Sequence, residues 1–206
     1  MTTYNFASQV GLTPSSQTFE LVQNTRVFRS SLTNAVQTQG RKGAFWKTTA
    51  TFANLQDADK GKVQGFLAKL NGQEHRFEFA DYGYDKQGVA PVGNSADTLV
   101  VNGASQTGST LNADGATASQ TGYLKAGDYI EVNNCLHIVT ADCNSNSSGE
   151  VAIPIAPPLR SAPSDGSAIE YQAPKSVMML VSEPKWTTQP GLIASFTIEA
   201  VEDVLA

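Results

Sequence analysis

Clusters of positive charge are nearly absent from this chain of 206 residues. Its 14 lysines and arginines are outnumbered by 19 aspartates and glutamates, and Arg41-Lys42 is the longest basic run. Tight nucleic-acid binding needs grouped cations to neutralise phosphates, so no such face is expected. Long apolar runs are missing too: none approaches the roughly 20 residues of a membrane span, and no membrane partner is expected. The first residues, MTTYNFASQVGLTPSS, lack the basic and apolar regions of an export signal; synthesis in a cytosol without self-directed export is the expectation. Two cysteines cannot build a disulfide framework. Two histidines leave few routes to nucleophilic or metal chemistry.

What is abundant is turn and strand material. Seventeen glycines, with many Thr, Ser, Asn and Gln among 40% hydrophobic and 16% charged residues, point to strands joined by turns. From Arg26 to Val36 the chain is rich in strand formers. It runs into Gln37-Thr-Gln-Gly-Arg-Lys-Gly43, read as the polar connection of a long hairpin. In the returning strand Trp46, Thr48, Ala50 and Phe52 share one face, expected to be the core face. Val63, Phe66, Leu67 and Leu70 then recur at helical spacing. They predict one helix at about 55–71, capped by Asn54 or Asp57 and stopped by Asn71-Gly72. Glu74–Phe79 alternates again.

Beyond Asp81-Tyr-Gly-Tyr the residues become small and polar. Short strands are expected at Thr98–Gly103, Tyr129–Asn134, Cys135–Val139 and Val151–Ile155, with GASQTGSTLNADGATASQTG as a separator. After Pro157-Pro158 larger strands return: Lys175–Ser182 as a buried strand, and Ser195–Glu202 with Phe196, Ile198 and Ala200 on one side. The helix and the early strands need partners that these closing strands can supply. The expected organisation is an outer domain of residues 1–90 and 170–206, interrupted by a small all-β domain at 91–169.

The chemistry-bearing residues concentrate in GDYIEVNNCLHIVTADC, residues 127–143. Alternation places Cys135 and His137 on one face of a strand. A zinc site needs three or four ligands, and Cys143 would lie about 26 Å from Cys135 along an extended strand. The expectation is two ordinary strand cysteines and a half-exposed histidine, with no metal. No G-x-S-x-G elbow is present. Gly103–Gly108 lacks the lysine of a phosphate loop. Glu199, Glu202 and Asp203 read as a solvated face, and Asn146-Ser-Ser matches a glycosylation acceptor by chance. Trp186, between prolines in EPKWTTQPG, reads as a loop tryptophan that contacts a neighbouring subunit or plugs the core. A carbohydrate platform is the alternative. No cofactor and no catalytic residue are expected.

The run GAFWKTTATFANLQDADKGKVQGFLAKLNGQEHRFEFADYGY resembles the strand, helix and strand of small tail proteins of long-tailed bacteriophages. VNGASQTGSTL, KAGDYIEV, HIVTAD, PPLR and SFTIEA continue the same order over about 160 residues. The resemblance is to the distal tail protein group. It implies a fold that is mainly β with one α-helix: a tail-tube-like β-sandwich plus an inserted small β-barrel or sandwich domain. It further implies a structural virion protein, made in the host cytoplasm and placed at the phage tail tip. There it would form a homo-oligomeric ring, a hexamer, that joins tail tube protein to hub and tail-tip or fibre proteins and leaves a channel for DNA. Another tail ring (tube or hub component) and a carbohydrate-binding β-module are the alternatives. Within that reading Gln39, Arg41, Lys42 and Trp186 are the candidate assembly contacts.

Overall fold

The computed structural model describes residues 1–41, 43–84, 96–189 and 193–205. Chain entry forms β1 (Thr3–Asn5) and a single-turn helix α1 (Phe6–Gln9), whose start is capped by the Asn5 side chain accepting from the Ser8 N–H at 2.8 Å. Then come β2 (Ser16–Val22), β3 (Thr25–Arg29), β4 (Val36–Gly40), β5 (Phe45–Leu55), α2 (Asp57–Lys69) and β6 (Arg76–Phe79). The next six strands are β7 (Val100–Val101), β8 (Gly108–Asp114), β9 (Tyr129–Val132), β10 (Cys135–Val139), the nine-residue β11 (Val151–Leu159) and β12 (Ile169–Glu170). The chain closes with β13 (Ser176–Leu180), β14 (Lys185–Gln189) and β15 (Ile193–Glu202). The fold is mainly β, with two short helices rather than the one expected. At one turn, α1 has no apolar periodicity to reveal it. None of the described helices is long and apolar enough to cross a membrane.

A seven-stranded sheet has the order β1-β6-β13-β15-β5-β2, with β14 also paired to β15. Its central β5 and β15 come from opposite ends of the chain and pair antiparallel, Ala194 with Leu55 through Val201 with Lys47. Alternation accounts for the core: Trp46, Thr48, Ala50 and Phe52 are all buried on β5, and Phe196, Ile198 and Ala200 on β15. Over that face lies α2, with Val63, Phe66, Leu67 and Leu70 buried as their spacing requires. Its N-cap position is Gln56, with no side-chain cap bond, instead of Asn54 or Asp57. Asn54 adopts φ +58° at the end of β5, and Asp57 and Asp59 occupy the first turn, where their charge complements the helix dipole. Asn71 (φ +49°) and Gly72 (φ +65°) end the helix in left-handed conformations.

The strands β7 to β12 pair in the order β12-β9-β10-β11-β8-β7. The ends of this sheet meet: Val100 bridges Ala168, and the Ile169 N–H donates to the Leu99 carbonyl at 2.9 Å. The sheet thus curls into a small, nearly closed barrel filled by residues such as Leu111, Ile130, Val132, Val139, Ile153 and Ile155. The segment expected to be a separator contains β8. Only Leu111 and Ala113 of that strand are buried, so small polar residues suffice on its outer side.

Tyr129 and Leu136, on the barrel's outer face, join the core of the seven-stranded sheet. Trp46 stacks edge-on to Tyr129 at 5.6 Å between ring centres, and its Nε1–H donates to the Leu136 carbonyl at 2.8 Å. Arg160, just past β11, forms a bidentate ion pair with Glu202 of β15, Nη1 lying 2.9 Å from Oε1 and Nη2 bonding Oε2. Arg160 Nη2 also donates to the Ala44 carbonyl at 2.7 Å, and Glu202 accepts the Trp46 backbone N–H at 3.0 Å. Glu202 is therefore buried, and Asp203 pairs with Arg76 at 2.6 Å. Both depart from the solvated face expected of them; only Glu199 lies exposed.

Candidate functional site

The hairpin at residues 25–40 differs from its expected form. Gln37–Gly40 is no connection: it is β4, which pairs with β3 from Thr25–Gly40 to Arg29–Val36. The turn lies at 30–35, where the Ser30 N–H donates to the Ala35 carbonyl at 2.9 Å. Across the edge of β5 away from β15 lies β2, not β3, paired from Ser16–Thr51 to Val22–Phe45. The strands β3 and β4 therefore form a separate two-stranded arm growing from the β2–β5 end of the sheet. Every residue of both strands is exposed.

An arm with two wet faces would be expected to be polar. This one carries Val27 (61% exposed), Phe28 (52%), Leu32 (93%) and Val36 (50%). Its charge is one-sided as well. Between Glu20 and Asp57 there is no acidic residue, while Arg26, Arg29, Arg41 and Lys42 fall in the arm and its root; Lys47, on β5, pairs with Glu20 at 3.7 Å. A lone two-stranded hairpin is marginal in water; the register puts Val27 and Val36 on one face and Phe28 on the other, so both faces carry exposed apolar area of the kind that marks contact surfaces.

Of the four candidate contacts, Gln39 is exposed on β4 and Arg41 is exposed at the arm's root. Lys42 lies outside the described residues. Trp186 is on no loop: it sits in β14 opposite Phe196 of β15, 49% exposed, its ring 6.0 Å from that of Phe196. The register separates these places. The arm leaves the sheet beyond the Val22–Phe45 pair, whereas Trp186 lies toward the end where Ala194 meets Leu55. The structure brings Gln39 and Arg41 together on one arm and puts Trp186 at the opposite end of the sheet. Sequence reasoning missed the apolar Val27, Phe28, Leu32 and Val36. No local pattern marks them, because both faces of β3 and β4 are exposed and impose no alternation.

The residues between Gly127 and Cys143 form sheet. Cys135 and His137 both line a small void beside Arg160, consistent with a shared face, but His137 is buried rather than half-exposed. Its Nδ1–H donates to the Pro157 carbonyl at 2.8 Å, a bond only the Nδ1-protonated tautomer can make. Both cysteines are free, and burial pushes both thiols up, away from the reactive thiolate. Among the described residues no group of three His, Cys, Asp or Glu could hold a metal ion.

Burial pushes His137 down to about 4, below its ordinary value near 6.5. In the unfolded chain the ring takes up a proton first, so the stability it contributes is complete above about pH 6.5. That contribution is lost as pH falls towards 4, by roughly 3 kcal/mol in all. Urea unfolding at pH 7 and pH 4.5 is expected to show a steeper acid loss for the native chain than for His137→Gln. Equal losses would mean the histidine is hydrated in the native state.

No protein-family model matches the chain, and no curated protein matches it significantly in sequence.

Proposed function

We propose that this protein is a structural component of a phage virion, a distal tail protein that assembles as a ring at the tail tip. It would join the tail tube to hub and fibre proteins around a channel for DNA. The observation that carries the reading is the basic, apolar arm, every residue of whose two strands is exposed. Its occupant is an adjacent copy: outside the arm and its root, ten basic residues stand against all 19 acidic ones, a net negative balance that favours approach of the arm's arginines. An arm that inserts into a different surface of its neighbour makes a heterologous contact, the kind that closes rings or propagates tubes. Trp186, at the other end of the sheet, is a contact for the next ring. The hexameric count and the identity of the tube and hub neighbours come from the resemblance in segment order. The acidic balance of the remaining chain suits a channel through which DNA slides without sticking.

Negative-stain microscopy and light scattering of the purified chain test this reading. Rings or stacked tubes are expected. Phe28→Asp with Leu32→Asp is expected to leave circular dichroism and thermal unfolding unchanged while abolishing the rings, because both side chains are solvated in the single chain. Arg41→Glu with Lys42→Glu is expected to weaken assembly in the same direction. A chain that stays monomeric at high concentration, or rings that survive the arm substitutions, would overturn the assignment.

A further inference from the structure

The outer face of the barrel carries a polar cleft that the assembly reading does not use. We infer that it is a binding site for a neutral saccharide. The cleft measures about 480 Å³, inside the roughly 300–1,000 Å³ typical of small-ligand sites. Its walls are Asn102, Asn112, Asn144, Asn146 and Glu150, and its floor includes Ala152.

Strand alternation puts these side chains there. Asn112 projects outward between the buried Leu111 and Ala113 of β8, directly opposite Ala152 of β11. Asn144 and Asn146 project outward on either side of the buried Ser145, which bridges Val151. A row of small and large residues results, with the Ala152 methyl set low between carboxamides. The walls are tied together. The Glu150 carboxylate accepts from Asn146 Nδ2 at 2.6 Å and from Asn102 Nδ2 at 3.3 Å, while Asn146 Oδ1 accepts the Ser148 and Glu150 N–H groups at 2.8 and 2.9 Å. Asn144 Oδ1 accepts the Gly122 N–H at 2.7 Å, which fixes its orientation and turns its amide nitrogen into a spare donor. Among the described residues no hydrogen bond engages the Asn112 carboxamide.

The chemistry selects the ligand class. A carboxamide offers a donor and an acceptor a short distance apart, the pattern that neighbouring sugar hydroxyls match. Among the described residues no lysine or arginine lines the cleft, so a phosphate or other anion finds no counter-charge. A single carboxylate, already engaged by two amides, falls short of the oxygen-rich shell that calcium takes. The low Ala152 methyl gives the C–H face of a pyranose an apolar seat.

The test is nitrogen–proton NMR of the full chain, following the asparagine side-chain amides. The probes are maltose, lactose and N,N′-diacetylchitobiose, with glucose 6-phosphate and calcium chloride as separate arms. At least one neutral disaccharide is expected to shift the Asn112 and Asn144 amides, saturating with a Kd of about 1–10 mM, as suits one small ligand. Asn112→Ala, at an exposed position that leaves the fold intact, is expected to weaken that binding at least tenfold. Asn144→Asp serves as a second variant that keeps the Gly122 bond and should weaken it likewise. Absence of shifts with all three disaccharides, undiminished binding by both variants, or shifts driven by the phosphate or calcium arm instead would each overturn the assignment. None of these outcomes bears on ring formation, so the two readings stand or fall separately.

Discussion

Glu202→Ala is expected to destabilise the protein by about 3–5 kcal/mol, the range for removing one partner of a buried ion pair. Its side chain is 1% exposed and that of Arg160 13%, so water screens the pair little. Removing the carboxylate strands the Arg160 guanidinium and takes away the acceptor of the Trp46 N–H. Each orphaned group then bears its own desolvation cost. Glu199→Ala, three residues earlier and exposed on the same strand, should change stability by no more than about 0.5 kcal/mol. Urea unfolding of both variants at pH 7 makes the comparison. Arg160→Met with Glu202→Leu should recover most of the loss, because an apolar pair of similar volume leaves no charge behind. A Glu202→Ala loss below about 1 kcal/mol would return this residue to solvent and remove the polar anchor between barrel and sheet.

That anchor shows where the sequence could be read and where it was misread. Period-two alternation gave the inward faces of β5 and β15 correctly, since each strand has one dry side and one wetter side. The same parity that turns Phe196, Ile198 and Ala200 inward also turns Glu202 inward; its charge argued for solvent and prevailed wrongly, because Arg160 arrives from a distant segment. The α2 stripe was legible for a like reason, with one face buried along its whole length. The arm was not legible. With both faces of β3 and β4 exposed, no alternation is imposed and register leaves no trace in the pattern, so polar Gln37–Gly40 reads as a loop. In β8 the barrel demands only Leu111 and Ala113, too few apolar positions to stand out among Gly, Ser, Thr and Asn. The Asn-lined cleft escaped for a third reason: its walls come from four segments between Asn102 and Ala152, and no local spacing joins them.

Phe66→Ala is expected to cost about 3–5 kcal/mol, as for other buried aromatic truncations. Phe66 lies at the centre of an aromatic cluster, edge-on to Phe6 at 5.1 Å and to Phe77 at 5.9 Å between ring centres. Phe6 in turn meets Phe52 and Phe79. Truncation opens a void that α1, α2 and β6 line together, and three elements fixed in one core cannot all collapse into it. The location of the damage is as informative as its size. Strands β5 and β15 share the sheet beneath α2 although nearly 140 residues separate Leu55 from Ala194, so their amides should lose hydrogen-exchange protection together as one cooperative unit. The barrel amides of β8 and β11 belong to a separate sheet and core, and should lose less. Uniform loss across both sheets would show that barrel and sheet unfold as one unit, and that the Trp46 and Glu202 contacts weld them. A destabilisation under about 1 kcal/mol would mean that the α2 stripe is exposed, and the sheet assembled from both ends of the chain would lose its cover.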